Sequence, residues 1–256
     1  MLGLILCAGL YLMYRLWAQQ LDLARQQQDF ISAVSHELKT PLTSIRMYGE
    51  MLRQGWTSEE KRQSYYDYIH QESERLSRLI TNVLQLARMT RNELQIELRP
   101  MPVSELLDGI RSKVSSQVQQ AGFSLAVDCT EDVRQCNVQI DPDSFMQIII
   151  NLVDNAIKFS ATGARRHIDI DCRPKGSNSI QFSVRDFGPG IPRDQIKKIF
   201  RLFYRSENEL TRETIGTGIG LALVKQLAAA MGGRVDVINR EPGVEFQISF
   251  PVIGPA

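Results

Sequence analysis

From Gln19 to about Arg91 the chain has a single proline, Pro41, and almost no glycine, and its apolar residues recur at helical spacing. At about 100° per residue, Phe30, Val34, Leu38, Pro41, Ile45, Tyr48 and Leu52 fall within about 40° of one direction, a narrow seam of the kind used in helix bundles. A second run, Tyr65, Ile69, Leu76, Leu79, Val83 and Leu86, repeats the pattern. Gly55 separates the two, and Thr57 followed by Glu60 has the spacing of a capping box at the second helix. The pattern therefore predicts a helical hairpin. Two antiparallel helices bury two such seams poorly alone, so pairing with a second copy into a four-helix bundle is expected.

After Arg99-Pro100-Met101-Pro102 the texture becomes alternating strand and helix. Strands are predicted over Phe123–Asp128, Asn137–Ile140, His167–Cys172, Ile180–Arg185, Arg234–Asn239 and Val244–Pro251. Helices are predicted over Val103–Gln119, Pro142–Lys158, Arg193–Ile199 and Gly218–Met231, with Asp141 as N-cap and Pro142 at N1 of the second. This is the pattern of an α+β sandwich, helices on one face of a mixed sheet. The first 18 residues form a third kind of segment, apolar up to Arg15 and closed by Tyr11, Tyr14 and Trp17. A bilayer span needs about 20 apolar residues, so this is either a membrane helix, short or truncated at its N-terminus, leaving on the cytoplasmic side, or a buried helix. The resulting division is a membrane-helix fragment at 1–18, a helical linker at 19–28, a hairpin at 29–92, a linker at 93–102 and a second domain at 103–256.

The chain has 256 residues, 30 basic against 29 acidic, for a net charge of +1. That balance argues against a nucleic-acid binder held by bulk charge. Cys7, Cys129, Cys136 and Cys172 lack C-x-x-C spacing, so neither a zinc site nor a redox pair is suggested, and they are read as reduced packing residues.

Four short segments carry chemistry. In Ser35-His36-Glu37-Leu38-Lys39-Thr40-Pro41, His36 lies about 200° from the seam at Val34 and so projects outward. A second histidine at zinc-protease spacing is absent, because Thr40 stands there. What remains is either a solvated surface histidine or a nucleophile with a carboxylate, Glu37, and a hydroxyl, Thr40, beside it. On the Pro142–Lys158 helix, Asn151 and Asn155 share a face, and Lys158 follows. The amides are either satisfied by neighbouring protein groups or ligate a hard cation such as magnesium, with Lys158 directed to a phosphate. In Asp186-Phe187-Gly188-Pro189-Gly190, an acid at a strand end precedes glycines that let backbone approach a planar ligand. Finally Gly216-Thr217-Gly218-Ile219-Gly220-Leu221 opens a helix, whose N-terminal amides favour an anion. Between the glycine segments, Phe200-Arg-Leu-Phe203-Tyr-Arg205 leads into a polar stretch, Ser206–Thr217, read as a lid.

In this order and spacing the segments resemble the catalytic core of a bacterial two-component sensor histidine kinase, from Gln28 to Pro251. His36 to Pro41 looks like the family's H box, Asn151 to Lys158 its N box, and Asp186 to Gly190 its first glycine box. Ile199 to Arg205 looks like the F box and Gly216 to Leu221 the second glycine box. No motif residue is lost. The resemblance implies a dimeric four-helix bundle followed by an ATP-binding domain of the type shared with DNA gyrase and heat-shock chaperones. It implies Asp186 on the adenine amino group, Asn155, with Asn151, at magnesium, and Gly188, Gly190, Gly218 and Gly220 lining base and phosphates. Lys158, Phe203, Arg205, Thr217 and Leu221 complete the nucleotide site. It further implies His36 as phosphoacceptor, Glu37 as proton acceptor, and Thr40 as the water-positioning residue of a phosphatase activity. The partners implied are a second copy and a response regulator chosen by Met47, Glu50 and Met51, with the core at the cytoplasmic face of the inner membrane. An ATP-driven conformational machine and a non-catalytic tethered dimerisation module are the alternatives, and neither requires the H box.

Overall fold

The computed structural model describes residues 2–56, 58–90, 95–161, 163, 165–176, 178–202, 204 and 218–253. They divide into two compact units, one helical and one built on a sheet.

The helical unit is a hairpin of α1 (Leu2–Arg53) and α2 (Glu59–Thr90). The seam residues Val34, Leu38, Ile45, Tyr48, Leu52, Tyr65, Ile69, Leu76, Leu79 and Val83 are half-buried and Pro41 is buried. Tyr48 stacks on Tyr68 and tilts against Tyr65, with ring centroids 5.1 Å apart in both pairs. α1 ends as its sequence directs. Gly55 takes φ +70°, its N–H donates to Leu52 O, and the Trp56 N–H reaches back to Met51 O. This is the glycine-terminated cap that satisfies the last free carbonyls. Thr57 lies outside the described residues, and the carbonyl that opens α2 is that of Ser58, accepting from Lys61 and Arg62. Pro41 sits inside α1, where it lacks the N–H that would meet the Glu37 carbonyl. Residues 2–18 are the first part of α1, with Leu10, Tyr11, Leu12, Met13, Tyr14, Leu16 and Trp17 exposed. Among the described residues no helix is long and apolar enough to cross a membrane.

The second unit carries a seven-stranded sheet in the order β1-β3-β7-β5-β4-β2, with β6 also on β7. The strands are β1 (Arg99–Pro102), β2 (Ser124–Cys129), β3 (Asn137–Ile140), β4 (His167–Pro174), β5 (Ser179–Arg185), β6 (Arg234–Asn239) and β7 (Val244–Ile253). β2 and β4 pair in parallel, and the other pairings are antiparallel. Three longer helices accompany them, α3 (Val103–Gln120), α5 (Pro142–Ser160) and α6 (Gly220–Ala230), with a single turn, α4 (Glu131–Arg134), after β2. The expected mixed α+β sandwich is therefore what the second unit forms. Phe145 of α5 meets Phe182 of β5 and Phe250 of β7 edge-on at 4.9 and 6.0 Å. All three are fully buried, and each such side chain contributes about 1.5–3 kcal/mol by leaving water.

Three expectations need correction. Arg99–Pro102 is an edge strand paired with β3 rather than linker: its prolines hid it, since proline is tolerated in sheets at edges. Arg193–Ile199 is a run of turns, held by bonds such as Lys198 N–H to Gln195 O, and not a regular helix. Of the four cysteines only Cys172 is buried, while Cys7 is exposed.

Candidate nucleotide and phosphoacceptor sites

The two chemical constellations fall on different units. On α1, His36 is exposed and its neighbour Glu37 is buried. The Glu37 carboxylate turns into the hairpin, with Oε2 3.6 Å from Nη2 of Arg75 on α2. One turn beyond His36, the Thr40 hydroxyl donates to the His36 carbonyl at 3.2 Å. Sequence spacing placed His36 outward correctly. It did not pair Glu37, although Glu37 stands three residues after Val34 and four before Pro41, on the seam side of the helix. Met47 and Glu50 are exposed and Met51 is half-buried, with Glu50 accepting from Arg53 and Gln54 at 3.2 Å.

In the sheet unit, α5 is the element around which the other motif residues gather. Its start is fixed by Asp141, whose Oδ1 accepts from Ser144 N–H at 2.8 Å and whose Oδ2 accepts from Glu97 N–H at 3.0 Å. One carboxylate thus caps α5 and holds the segment that leads into the unit. Burial pushes the Asp141 carboxyl up, but these N–H donors outweigh it and the net direction is below the usual carboxylate value.

Further along α5, Asn151 is buried and Asn155 and Lys158 are half-buried. A Cβ placed on Gly220, the first residue of α6, would stand 3.6 Å from Asn151 Oδ1 and 4.0 Å from Asn155 Nδ2. The two amides therefore border the N-terminus of α6, where unpaired N–H groups and the helix dipole favour an anion. Gly218 takes φ +66°, which the turn into α6 needs. Leu221 is half-buried beside it.

At the other end of α5 lies the Asp186 turn. A Cβ on Gly188 would approach Ser160 Oγ to 2.8 Å and Phe159 O to 3.0 Å, so only glycine lets this loop lie against the helix. Asp186 is 4% exposed. Its Oδ1 accepts from Gly188 N–H at 2.9 Å and Val244 N–H at 3.4 Å, and its own N–H donates to Val244 O. Burial pushes this carboxyl above its ordinary value against those donors, which pull it down. Phe187 carries the guanidinium of Arg165 at 4.3 Å and that of Arg185 at 4.7 Å from its ring centre.

Two supporting residues fall outside every sequence motif. Asn239, at the end of β6, accepts from Ile191 N–H at 2.9 Å and donates to Ile191 O at 2.6 Å, pinning the first glycine segment beside Gly190. Gly243 takes φ +98° and sits so close beneath Asp186 that a Cβ would overlap the Asp186 carbonyl oxygen. The structure thus brings Asn151, Asn155, Lys158, Asp186, Gly188, Gly190, Gly220 and Leu221 into one unit around α5. Phe203, Arg205, Thr217 and the predicted lid lie outside the described residues.

A buried acid bonded to glycine backbone, an asparagine-bearing helix and a glycine-opened helix define a class. Residues 140–253 match the family described as histidine kinase-, DNA gyrase B- and HSP90-like ATPases, and residues 26–92 match the His kinase A phospho-acceptor domain. The chain belongs to the bacterial two-component sensor histidine kinases, of which it carries the catalytic core. It is 31% identical over 220 residues to sensor protein kinase WalK of Staphylococcus aureus, covering 85% of this chain and 51% of that protein. The chain thus spans about half the length of that relative. Among solved structures it is similar to full-length ShkA in complex with AMPPNP, at 27% identity and a TM-score of 0.61 over 88% of this chain and 46% of that one. The catalytic domain of histidine kinase ThkA matches 60% of this chain and 97% of its own, at 26% identity and a TM-score of 0.51.

Proposed function

We propose that this core uses ATP to phosphorylate His36 and then passes the phosphoryl group to an aspartate of a response regulator. The observation that carries the reading is an exposed imidazole on a helical hairpin in a chain that also holds the α5-centred nucleotide cradle. An imidazole nitrogen of His36 attacks the γ-phosphorus, the bond from γ-phosphorus to the bridging oxygen breaks, and ADP leaves. Glu37 takes the proton from the other ring nitrogen. Catalysis here is chiefly positioning and charge stabilisation.

The nucleotide's adenine amino group donates to Asp186, and its phosphates lie toward the N-terminus of α6 and Lys158. Among the described residues no cluster of three or more histidine, cysteine or acidic side chains could hold a metal. Amide oxygens of Asn155 and Asn151 fit a magnesium ion that takes its remaining ligands from phosphates and water. When bound, that ion would neutralise charge on the phosphates. Transfer requires the sheet unit to swing about the chain that precedes β1, so that a nucleotide bound there meets His36.

The half-buried seam of the lone hairpin supports a homodimer, in which a second hairpin covers it. Met47, Glu50 and Met51 are proposed as regulator-choosing contacts, and Thr40 as the water-positioning group of a regulator phosphatase. The exposed apolar side chains before Trp17 support attachment to the inner membrane with the core in the cytoplasm. Flotation of the full chain with vesicles, lost when that segment is made polar, tests the attachment.

Incubation with γ-labelled ATP tests the kinase reading. Label that is acid-labile, alkali-stable and absent from His36→Gln supports it. ATP hydrolysis without labelled protein would favour a conformational ATPase instead.

A further inference from the structure

Outside the nucleotide cradle, the described residues of the hairpin hold a charge cluster that joins the H-box acid Glu37 to two α2 residues of no motif, Glu72 and Arg75. The Glu37 side chain is 8% exposed and Arg75, 40% exposed, reaches it from α2. The other guanidinium nitrogen, Nη1, lies 3.8 Å from Oε2 of Glu72, one turn earlier on α2. That Glu72 oxygen is itself buried and makes no hydrogen bond. Two carboxylates from two helices therefore share one half-exposed arginine.

An ionised carboxylate withdrawn from water is costly unless a cation accompanies it. We infer that Arg75 is a positioning residue for the phosphotransfer, keeping Glu37, the residue next to His36 in the chain, as an oriented anion in the hairpin until it takes the imidazole proton. The inference rests on the kinase reading and deepens it. Glu72 gives the cluster its second property. When Glu37 takes a proton and loses its charge, the half-exposed Arg75 guanidinium still faces Glu72, so it keeps an anionic partner after the transfer. Lysine can supply the charge but not the fork of nitrogens that faces two carboxylates at once, so it should substitute in part. Because Arg75 belongs to α2 and Glu37 to α1, a shift of one helix along the other alters the pairing.

The test is single-turnover phosphorylation of the full chain from γ-labelled ATP across a range of ATP concentrations. Arg75→Met should lower the limiting rate at least tenfold while KM for ATP stays within twofold, because Arg75 touches no nucleotide. Arg75→Lys should recover most of that loss, and Arg75→Met added to Glu37→Gln should cost nothing further. Helical circular dichroism checks folding, and Arg75→Gln, which keeps a donor at the site, carries the same expectation should the methionine variant not fold. An unimpaired Arg75→Met, a lysine variant as poor as the methionine one, or full additivity with Glu37→Gln would overturn the assignment. Absence of label on wild-type His36 would overturn the kinase reading itself, whereas a labelled wild type with an unimpaired Arg75→Met removes only the role of Arg75.

Discussion

Gly243 lies 57 residues beyond Asp186 in sequence and in no motif, yet its lack of a side chain shapes the Asp186 turn, which is proposed to receive adenine. In Gly243→Ala the new methyl would collide with the Asp186 carbonyl oxygen and stand 2.7 Å from its carbon and 2.9 Å from Phe187 Cα. These are backbone atoms, which cannot rotate away as a flexible side chain could. Alanine at φ +98° adds strain of about 1–2 kcal/mol, and moving the Asp186 turn adds more, so the total is roughly 2–3 kcal/mol. For a unit of this size each kcal/mol lowers Tm by about 2–4 °C, giving a drop of roughly 4–12 °C. If Asp186 receives adenine as proposed, displacing it by even an ångström should raise KM for ATP by about tenfold to a hundredfold. Thermal unfolding with and without ATP, beside single-turnover labelling, reads both effects. A variant with wild-type Tm and wild-type KM would refute the argument that this close approach fixes the Asp186 turn.

Asp186→Asn keeps the shape but presents a donor where an acceptor is needed, and ATP affinity should fall at least tenfold. In the wild type, burial raises this carboxyl, so its anion is lost as pH falls while still above the ordinary aspartate value of about 3.9. Nucleotide affinity, measured by titration, should weaken over that range. The contribution of this group to folding runs the other way, fully present at low pH and lost as pH rises through the raised value. Asn239→Ala removes both bonds to Ile191, at about 1–3 kcal/mol, and should raise KM for ATP several-fold while leaving the limiting rate intact in steady-state labelling. Asp141→Ala uncaps α5 at a cost of about 1–2 kcal/mol. Because the Asp141 carboxyl is held below its ordinary value, the Tm gap between wild type and variant should persist at neutral pH and close as pH falls through the lowered value. Thr40→Ala should spare phosphorylation of His36 and slow dephosphorylation of a regulator, measured by loss of label from the regulator's receiver domain.

What the sequence reveals and what it conceals divide along a physical line. His36, Asn151, Asn155, Asp186, Gly188 and Gly220 are legible because each lies in a short contiguous segment whose spacing places it on a helix face or a turn. Backbone geometry over a few residues determines that much. The α5 start is legible for the same reason, since Asp141 and Pro142 carry their own capping chemistry. Arg75, Asn239 and Gly243 carry no such local signature. An arginine on an exposed helix, an asparagine ending a strand and a glycine in a hairpin turn each have an ordinary local explanation. Their meaning comes only from residues 38 to 57 positions away, brought near by the pairing of α1 with α2 and of β6 with β7. The same contrast explains the missed strand: Pro100 and Pro102 argue locally against a strand, and only the β1 position at the sheet edge makes them acceptable. In the proposed mechanism motif residues touch the nucleotide or its phosphoryl group, whereas these distant residues hold the motif residues in place. Two chains with the same boxes can therefore differ in rate through positions that no box contains.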